Sequence, residues 1–174
     1  MAAHASKSGR QTWAMADVSA KAVTRRVAIA GGRITIGSKA MKLLRAGTVP
    51  KGDPLAMAEI AGILAAKKTP ELLPLCHPIA LNRVAIRPVV RAKAGAVDVY
   101  CVAEIAAQTG VEMEALTGVN IALLTIWDLI KPLNAALEIS DVRLHYKSGG
   151  KRGTWLNPEG ISDEVKALIA EFNP

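Results

Sequence analysis

Glu112, Glu114, Asp128 and Lys131 stand in one mostly apolar stretch, GVEMEALTGVNIALLTIWDLIK, from Gly110 to Lys131. Wound as a helix at about 100° per residue, Glu114, Thr117, Ile121, Thr125 and Asp128 fall within about 80° of one another. Lys131 follows Asp128 by three residues, so the two can meet on one face. An exposed couple of this kind contributes little. Its neighbours Ile126, Trp127, Leu129 and Ile130 are all apolar, which predicts a buried couple instead. A buried carboxylate beside an amino group is either a tuned acid–base pair or a structural salt bridge. Charges in the wall of a core helix are costly unless paired or used, so the stretch reads as one side of a polar pocket. Glu112 is the hardest to place. An ideal helix turns about 200° between it and Glu114, so either the helix starts after it or it faces another subunit.

A second candidate is PLCHP, Pro74 to Pro78, whose prolines bracket Cys76 and His77 and should hold the backbone extended and the side chains rigidly aimed. A histidine there serves as general acid or base, or as a hydrogen-bonded residue of a structural loop. Zinc has a thin supply of ligands: two cysteines and the three histidines His4, His77 and His145, with no CxxC or HxxxH spacing. The lysines form a third set. Lys51 precedes a helix N-cap, Lys67 and Lys68 close that helix, and Lys147 and Lys151 flank Ser148-Gly149-Gly150, where backbone amides could approach an anion. No GxxxxGK[ST] pattern occurs, and each lysine taken singly fits a solvated basic face.

The whole chain narrows the partners. Its 174 residues, 51% hydrophobic and 21% charged, suit one globular domain with a proper core. The formal net charge of +7 points to a polyanion. Only 3% of residues are aromatic, too few for base-stacking platforms, so a phosphorylated small molecule is favoured over nucleic acid. Cys76 and Cys101 provide no disulfide framework, which predicts a cytoplasmic protein. MAAHASKSGR has no signal-peptide core, and the apolar run Val119–Trp127 is too short to span a bilayer, so no membrane association is expected.

The elements that must position these residues follow from local signals. Residues 1–14 are small and polar and are expected to be flexible. Thr24–Ala30 and Arg33–Ile36 alternate around Gly31-Gly32, a hairpin signal. Ser38–Arg45 predicts a short helix stopped by Gly47. Asp53 as N-cap, Pro54 at the first helical position and terminal lysines define the next helix. Strands Leu81–Arg91 and Val97–Ile105 are joined by the turn AKAGA; the long helix, ended or kinked by Pro132, comes next. A strand near Asp141–Tyr146, the glycine-rich KSGGKRG and a helix over Ser162–Phe172 complete the chain. The expected fold is α+β, with helices packed on one face of an antiparallel sheet. Residues 15–160 form a single catalytic domain in this reading, and 161–174 a helical tail.

MADVSAK (15–21), KGDPLAMAEIAGILAAKKTPELLPLCHPIALN (51–82), TGVEMEALTGVNIALLTIWDLIK (109–131) and VRLHYKSGGKRG (142–153) together resemble the cyclic pyranopterin monophosphate synthase family, the molybdenum cofactor biosynthesis protein C family. LCHP, GVEMEALT and KSGGK carry most of the specificity. The resemblance implies conversion of 3',8-cyclo-7,8-dihydro-GTP to cyclic pyranopterin monophosphate with release of pyrophosphate. It also implies a ferredoxin-like subunit in a homohexamer, a trimer of dimers, with the site near a subunit interface. By the same resemblance, Leu75, Cys76, His77, Met113 and Glu114 bind substrate, Asp128 is catalytic with Lys131 as companion, and Lys51, Glu112 and Lys147 line the pocket. Chain and family differ at Ala16, at Ile79, and in a longer tail after Trp155. Pro132 stands beside the companion lysine, where it could shift the helix end. On the substrate's chemistry, Asp128 and Lys131 would move protons, Lys51 and Lys147 would hold phosphates, and His77 with Glu114 would orient the ring. No protein-bound cofactor is implied, and the triphosphate leaves room for Mg²⁺ carried with it.

Two other classes fit parts of the pattern. A zinc-dependent nucleotide hydrolase using Cys76 and His77 would carry stoichiometric metal. A basic RNA-binding module would bind RNA salt-sensitively without turnover, but only Tyr100 and Tyr146 stand on the expected strands as stacking residues.

Overall fold

A computed structural model describes residues 13–172. Its elements in chain order are β1 Thr24–Thr35, α1 Gly37–Ala46, α2 Pro54–Lys67, α3 Thr69–Leu72, β2 Arg83–Arg91, β3 Ala96–Ala107, α4 Glu112–Ile130, β4 Glu138–Ser148, β5 Trp155–Leu156 and α5 Asp163–Phe172. The strands make one antiparallel sheet in the order β2-β3-β1-β4-β5. The architecture is the expected α+β, ferredoxin-like type. Most of the expected residues 1–14 segment lies outside the described residues.

Local signals set the helix ends. Asp53 Oδ1 accepts from the Leu55 and Ala56 amides at 2.9 and 3.2 Å, with Pro54 in the first turn, and so starts α2. Gly47, left-handed at φ 66°, returns its amide to the last turn of α1 and stops it. Pro132 has no amide to continue α4, which ends at Ile130.

Gly31 and Gly32 do not make a hairpin. They lie inside the unbroken twelve-residue β1, the central strand, paired with β3 on one side and β4 on the other. Their role is close approach. A Cβ at Gly31 would sit 2.7 Å from the His145 ring, and one at Gly32 would sit 2.8 Å from Val142 and 2.9 Å from Leu123. Such glycines mark crowding across a sheet as readily as a turn.

One sheet face carries Ala28, Ile34, Val97, Val99 and Cys101 against Val119, Leu123 and Ile126 of α4. Helices α2 and α4 pack together where Gly62 and Gly118 face each other; a Cβ on Gly62 would come within 2.9 Å of the Gly118 carbonyl. By length and composition α4 could cross a bilayer, but half of it is buried within this chain, against α2 and the sheet. The opposite sheet face carries Val27, Ile29, Tyr100, Val102 and Tyr146, and there α5 packs Val165, Leu168 and Phe172. Glu164 of α5 pairs with Arg91, Glu171 pairs with Arg83 and Arg87, and the Arg83 guanidinium lies 3.7 Å over the Phe172 ring. The tail helix therefore belongs to the core of the subunit.

Candidate active site

Two groups of side chains stand at opposite ends of α4. At its N-terminal end Glu114 is buried to 1% exposure, and the Cys76 thiol donates to its Oε1 at 3.6 Å. Burial raises the Glu114 pKa above the ordinary range. Burial, and then the adjacent Glu114, push the Cys76 thiol up to about 11, so it is a poor nucleophile and a good hydrogen-bond donor. The chain turns at Leu73–Cys76, where the Cys76 amide closes on the Leu73 carbonyl at 3.0 Å, instead of staying extended between the prolines. This turn aims Cys76 at Glu114 and His77 at the Ala16 carbonyl, 2.8 Å from Nε2. Leu75 and Met113 remain about half exposed and, with Cys76, His77 and Glu114, line an apolar cavity of about 1000 Å³.

A second cavity of about 580 Å³ shares Lys21, Gly110 and Glu112 with the first. Helix α4 begins at Glu112 itself and not after it, and Glu112 and Glu114 point differently yet both line the first cavity. Glu112 Oε1 accepts from Lys147 Nζ at 2.9 Å. The second cavity is otherwise basic, with Lys21, Arg26, Lys151 and Arg152 in its wall. Among the described residues none of these four forms an ion pair. Arg26 donates only to neutral acceptors, the Ala107 carbonyl at 2.9 Å and the Gln108 carbonyl at 3.1 Å. Gly149 and Gly150, at φ 95° and 72°, let the chain fold against it, since a Cβ on Gly150 would come within 2.5 Å of Arg26 Nη1. An arginine fixed by carbonyls keeps its charge available for an anion. Sequence reasoning missed Arg26, although the alternation of β1 puts it on one face with Thr24; it also left Lys21 unassigned within the MADVSAK motif.

At the C-terminal end of α4 lie Lys51, Asp128 and Lys131. Asp128 accepts from Lys131 Nζ at 2.7 Å and from Lys51 Nζ at 3.2 Å. The pair is not buried: both side chains are 54% exposed. The apolar neighbours Ile126, Leu129 and Ile130 face the core, while Asp128 sits on the far side of the helix. The Lys131 hydrogen bond, then that of Lys51, holds the Asp128 carboxyl below its usual range, so it is ionised at neutral pH. Lys51 therefore sits with Asp128 and Lys131 rather than with Lys147. Fourteen residues of helix separate Asp128 from Glu114, a rise of about 21 Å. Among the described residues, no group of three His, Cys, Asp or Glu side chains gathers closely enough to hold a metal.

An apolar slot with an acid, a thiol and an imidazole, opening on a basic recess, accommodates a ligand with a flat heterocyclic body and an anionic tail. The MoaC family model matches residues 15–150, which span every site residue named above except Lys151 and Arg152. This chain belongs to the MoaC family. Among its relatives, the cyclic pyranopterin monophosphate synthase of Novosphingobium aromaticivorans is 49% identical over 141 residues, covering 81% of this chain and 88% of the relative. That of Dinoroseobacter shibae is 46% identical over 139 residues, covering 80% and 88%, and that of Pelobacter propionicus 44% over 146 residues, covering 84% and 91%. The family match stops at residue 150, so the docked α5 lies beyond the MoaC segment.

Proposed function

We infer that this chain is a cyclic pyranopterin monophosphate synthase, a lyase of molybdenum cofactor biosynthesis that converts 3',8-cyclo-7,8-dihydro-GTP to cyclic pyranopterin monophosphate and pyrophosphate. Beyond family membership, the observation that carries this is the junction of the Glu114 slot with the Arg26 recess at Glu112. A purine-derived ring and a triphosphate need those two environments side by side. Purified protein given the cyclised GTP substrate should release pyrophosphate and yield product of the cyclic monophosphate's mass. Protein that releases no pyrophosphate from that substrate refutes the assignment.

In the reaction a substrate hydroxyl attacks the α-phosphorus, an O–P bond forms, the bond to pyrophosphate breaks, and the hydroxyl proton must leave. Lys147, Arg26 and Lys21 hold the phosphates and stabilise the charge that develops on them. Glu114 and His77, with Cys76, Leu75 and Met113, seat the ring. Asp128 anchors Lys51 and Lys131, and this trio moves protons during ring rearrangement and cyclisation. Any Mg²⁺ enters with the triphosphate, since the chemistry assigned to these side chains calls for no resident metal.

The two ends of α4 are too far apart to serve one small molecule within a chain. The reading is therefore that a second copy supplies one half, in a dimer that is itself a unit of a hexamer. Supporting this is the exposed apolar face of Met57, Ile60 and Leu64 on α2 and Leu124 on α4, each 48–64% exposed, which runs between the two groups. The working compartment in this reading is the cytoplasm, in keeping with Cys76 and Cys101 as free thiols.

A further inference from the structure

Proline at 132 does more than end α4. In a continuing helix the Asp128 carbonyl would accept the amide of residue 132. Pro132 has no amide, and a proline ring also crowds the carbonyl four residues before it, which is Asp128's own. The neighbouring carbonyls close by other routes: Lys131 N–H donates to Trp127 at 2.8 Å, and Leu133 and Asn134 N–H donate to Ile130 at 2.8 and 3.3 Å. The Asp128 carbonyl instead accepts from Lys51 Nζ at 3.0 Å, the shorter of that amine's two bonds to Asp128.

We propose that Pro132 is a positioning residue for Lys51: by denying the Asp128 carbonyl its helical partner, it creates the second acceptor that fixes the Lys51 amine. A single exposed carboxylate at 3.2 Å would leave a long, flexible lysine free to swing. Two acceptors on one residue define a direction as well as a distance. Lys51 is carried on the turn before α2, where Gly52 at φ 100° returns its amide to the Val49 carbonyl at 3.0 Å. The contact therefore spans two separate parts of the chain, and the proline controls it from the α4 side. Lys131 holds a helical φ of −52° and ψ of −29° although a residue before proline is disfavoured there. The turn made by the Leu133 and Asn134 amides keeps it in place, and the Asn134 amide group, bonded to the Ile36 carbonyl at 3.0 Å, pins that turn to the end of β1.

This inference rests on the proposed role of Lys51, and the test separates the two. Pro132 is exposed, so Pro132→Ala removes the block without opening the core. Acetylation of the full-length protein, followed residue by residue by peptide mass spectrometry, reads the freedom of Lys51 against Lys39, an exposed lysine on α1. In Pro132→Ala, Lys51 should label several-fold faster with Lys39 unchanged. Turnover of the cyclised GTP should fall at least about tenfold while KM stays nearly constant, the result of a misplaced group at a site still able to bind. Unchanged Lys51 labelling overturns the positioning role. Faster labelling with full turnover keeps the positioning role and overturns Lys51 as a member of the reacting site.

Discussion

Asp128→Asn spoils the C-terminal end of α4, and Lys147→Ala spoils the basic recess at the other end, about 21 Å of helix away. If each site takes one end from each of two copies, an oligomer of mixed chains contains intact sites that neither variant has alone. Random pairing gives the two homodimers and the heterodimer in a ratio of about 1:1:2. In each heterodimer one site receives both defects and the other receives neither. About one quarter of all sites are then wild type. Each single variant should retain about 1% of wild-type turnover or less, from the loss of a proton-transfer group or of a phosphate cation. The mixture should therefore rise to about 25%, well clear of that background. Both substituted side chains are at least one-third exposed, so both variants should assemble normally. The assay is pyrophosphate release by the oligomers recovered after balanced co-expression of the two variants, with no selection for mixed ones. Activity no greater than the sum of the single variants, in oligomers shown by native mass spectrometry to be mixed, refutes the shared site.

Three further outcomes follow from the geometry. Gly118→Ala puts a Cβ within 2.8 Å of Cys101 Sγ and 3.2 Å of the Gly62 carbonyl, so calorimetry should show a loss of about 1–3 kcal/mol as α2 and α4 are forced apart. Arg26→Ala should raise KM for the triphosphate substrate about tenfold or more and flatten its dependence on ionic strength, with little change in folding because the partners left behind are sheet-end carbonyls. The pH dependence has a definite sign at each end of α4. Asp128 has a pKa lowered by Lys131 and then Lys51, so activity that needs its carboxylate should persist on the acid side until pH falls through that depressed value, and Lys131→Ala should move this limb upward. Glu114 is raised by burial, so the fold binds its proton more tightly than the unfolded chain. Its contribution to stability is complete below the ordinary glutamate range and is lost as pH rises through the raised value; Glu114→Gln should remove that slope from urea titrations.

Much of the fold was legible because its signals are local. Asp53 and Pro54 start a helix by bonding and shape within one turn, Gly47 stops one by its left-handed backbone, and Pro132 stops another by its missing amide. The candidate site was legible as residue types, since LCHP, GVEMEALT and KSGGK are contiguous strings and need no knowledge of packing. The hairpin at Gly31-Gly32 failed because two glycines fit a tight turn and a crowded strand equally well, and only their tertiary neighbours, His145 on β4 and Leu123 on α4, decide between them. The burial of Asp128 failed because apolar sequence neighbours of a helical residue project in other directions; what matters is which face meets the sheet.

The sequence by itself determined which residues can do chemistry, the helix that carries four of them, and the family to which their pattern belongs. Only the tertiary structure decided their grouping. It joined Glu112 to Lys147 and Cys76 to Glu114, brought Arg26 and Lys21 to the same recess, and put Lys51 on Asp128 at the far end of the helix. These are contacts between segments 35 or more residues apart in the chain, and no local periodicity encodes them. They arise because burying the apolar faces of α2, α4 and the sheet fixes where each helix end must lie, and the polar side chains meet whatever that packing brings beside them.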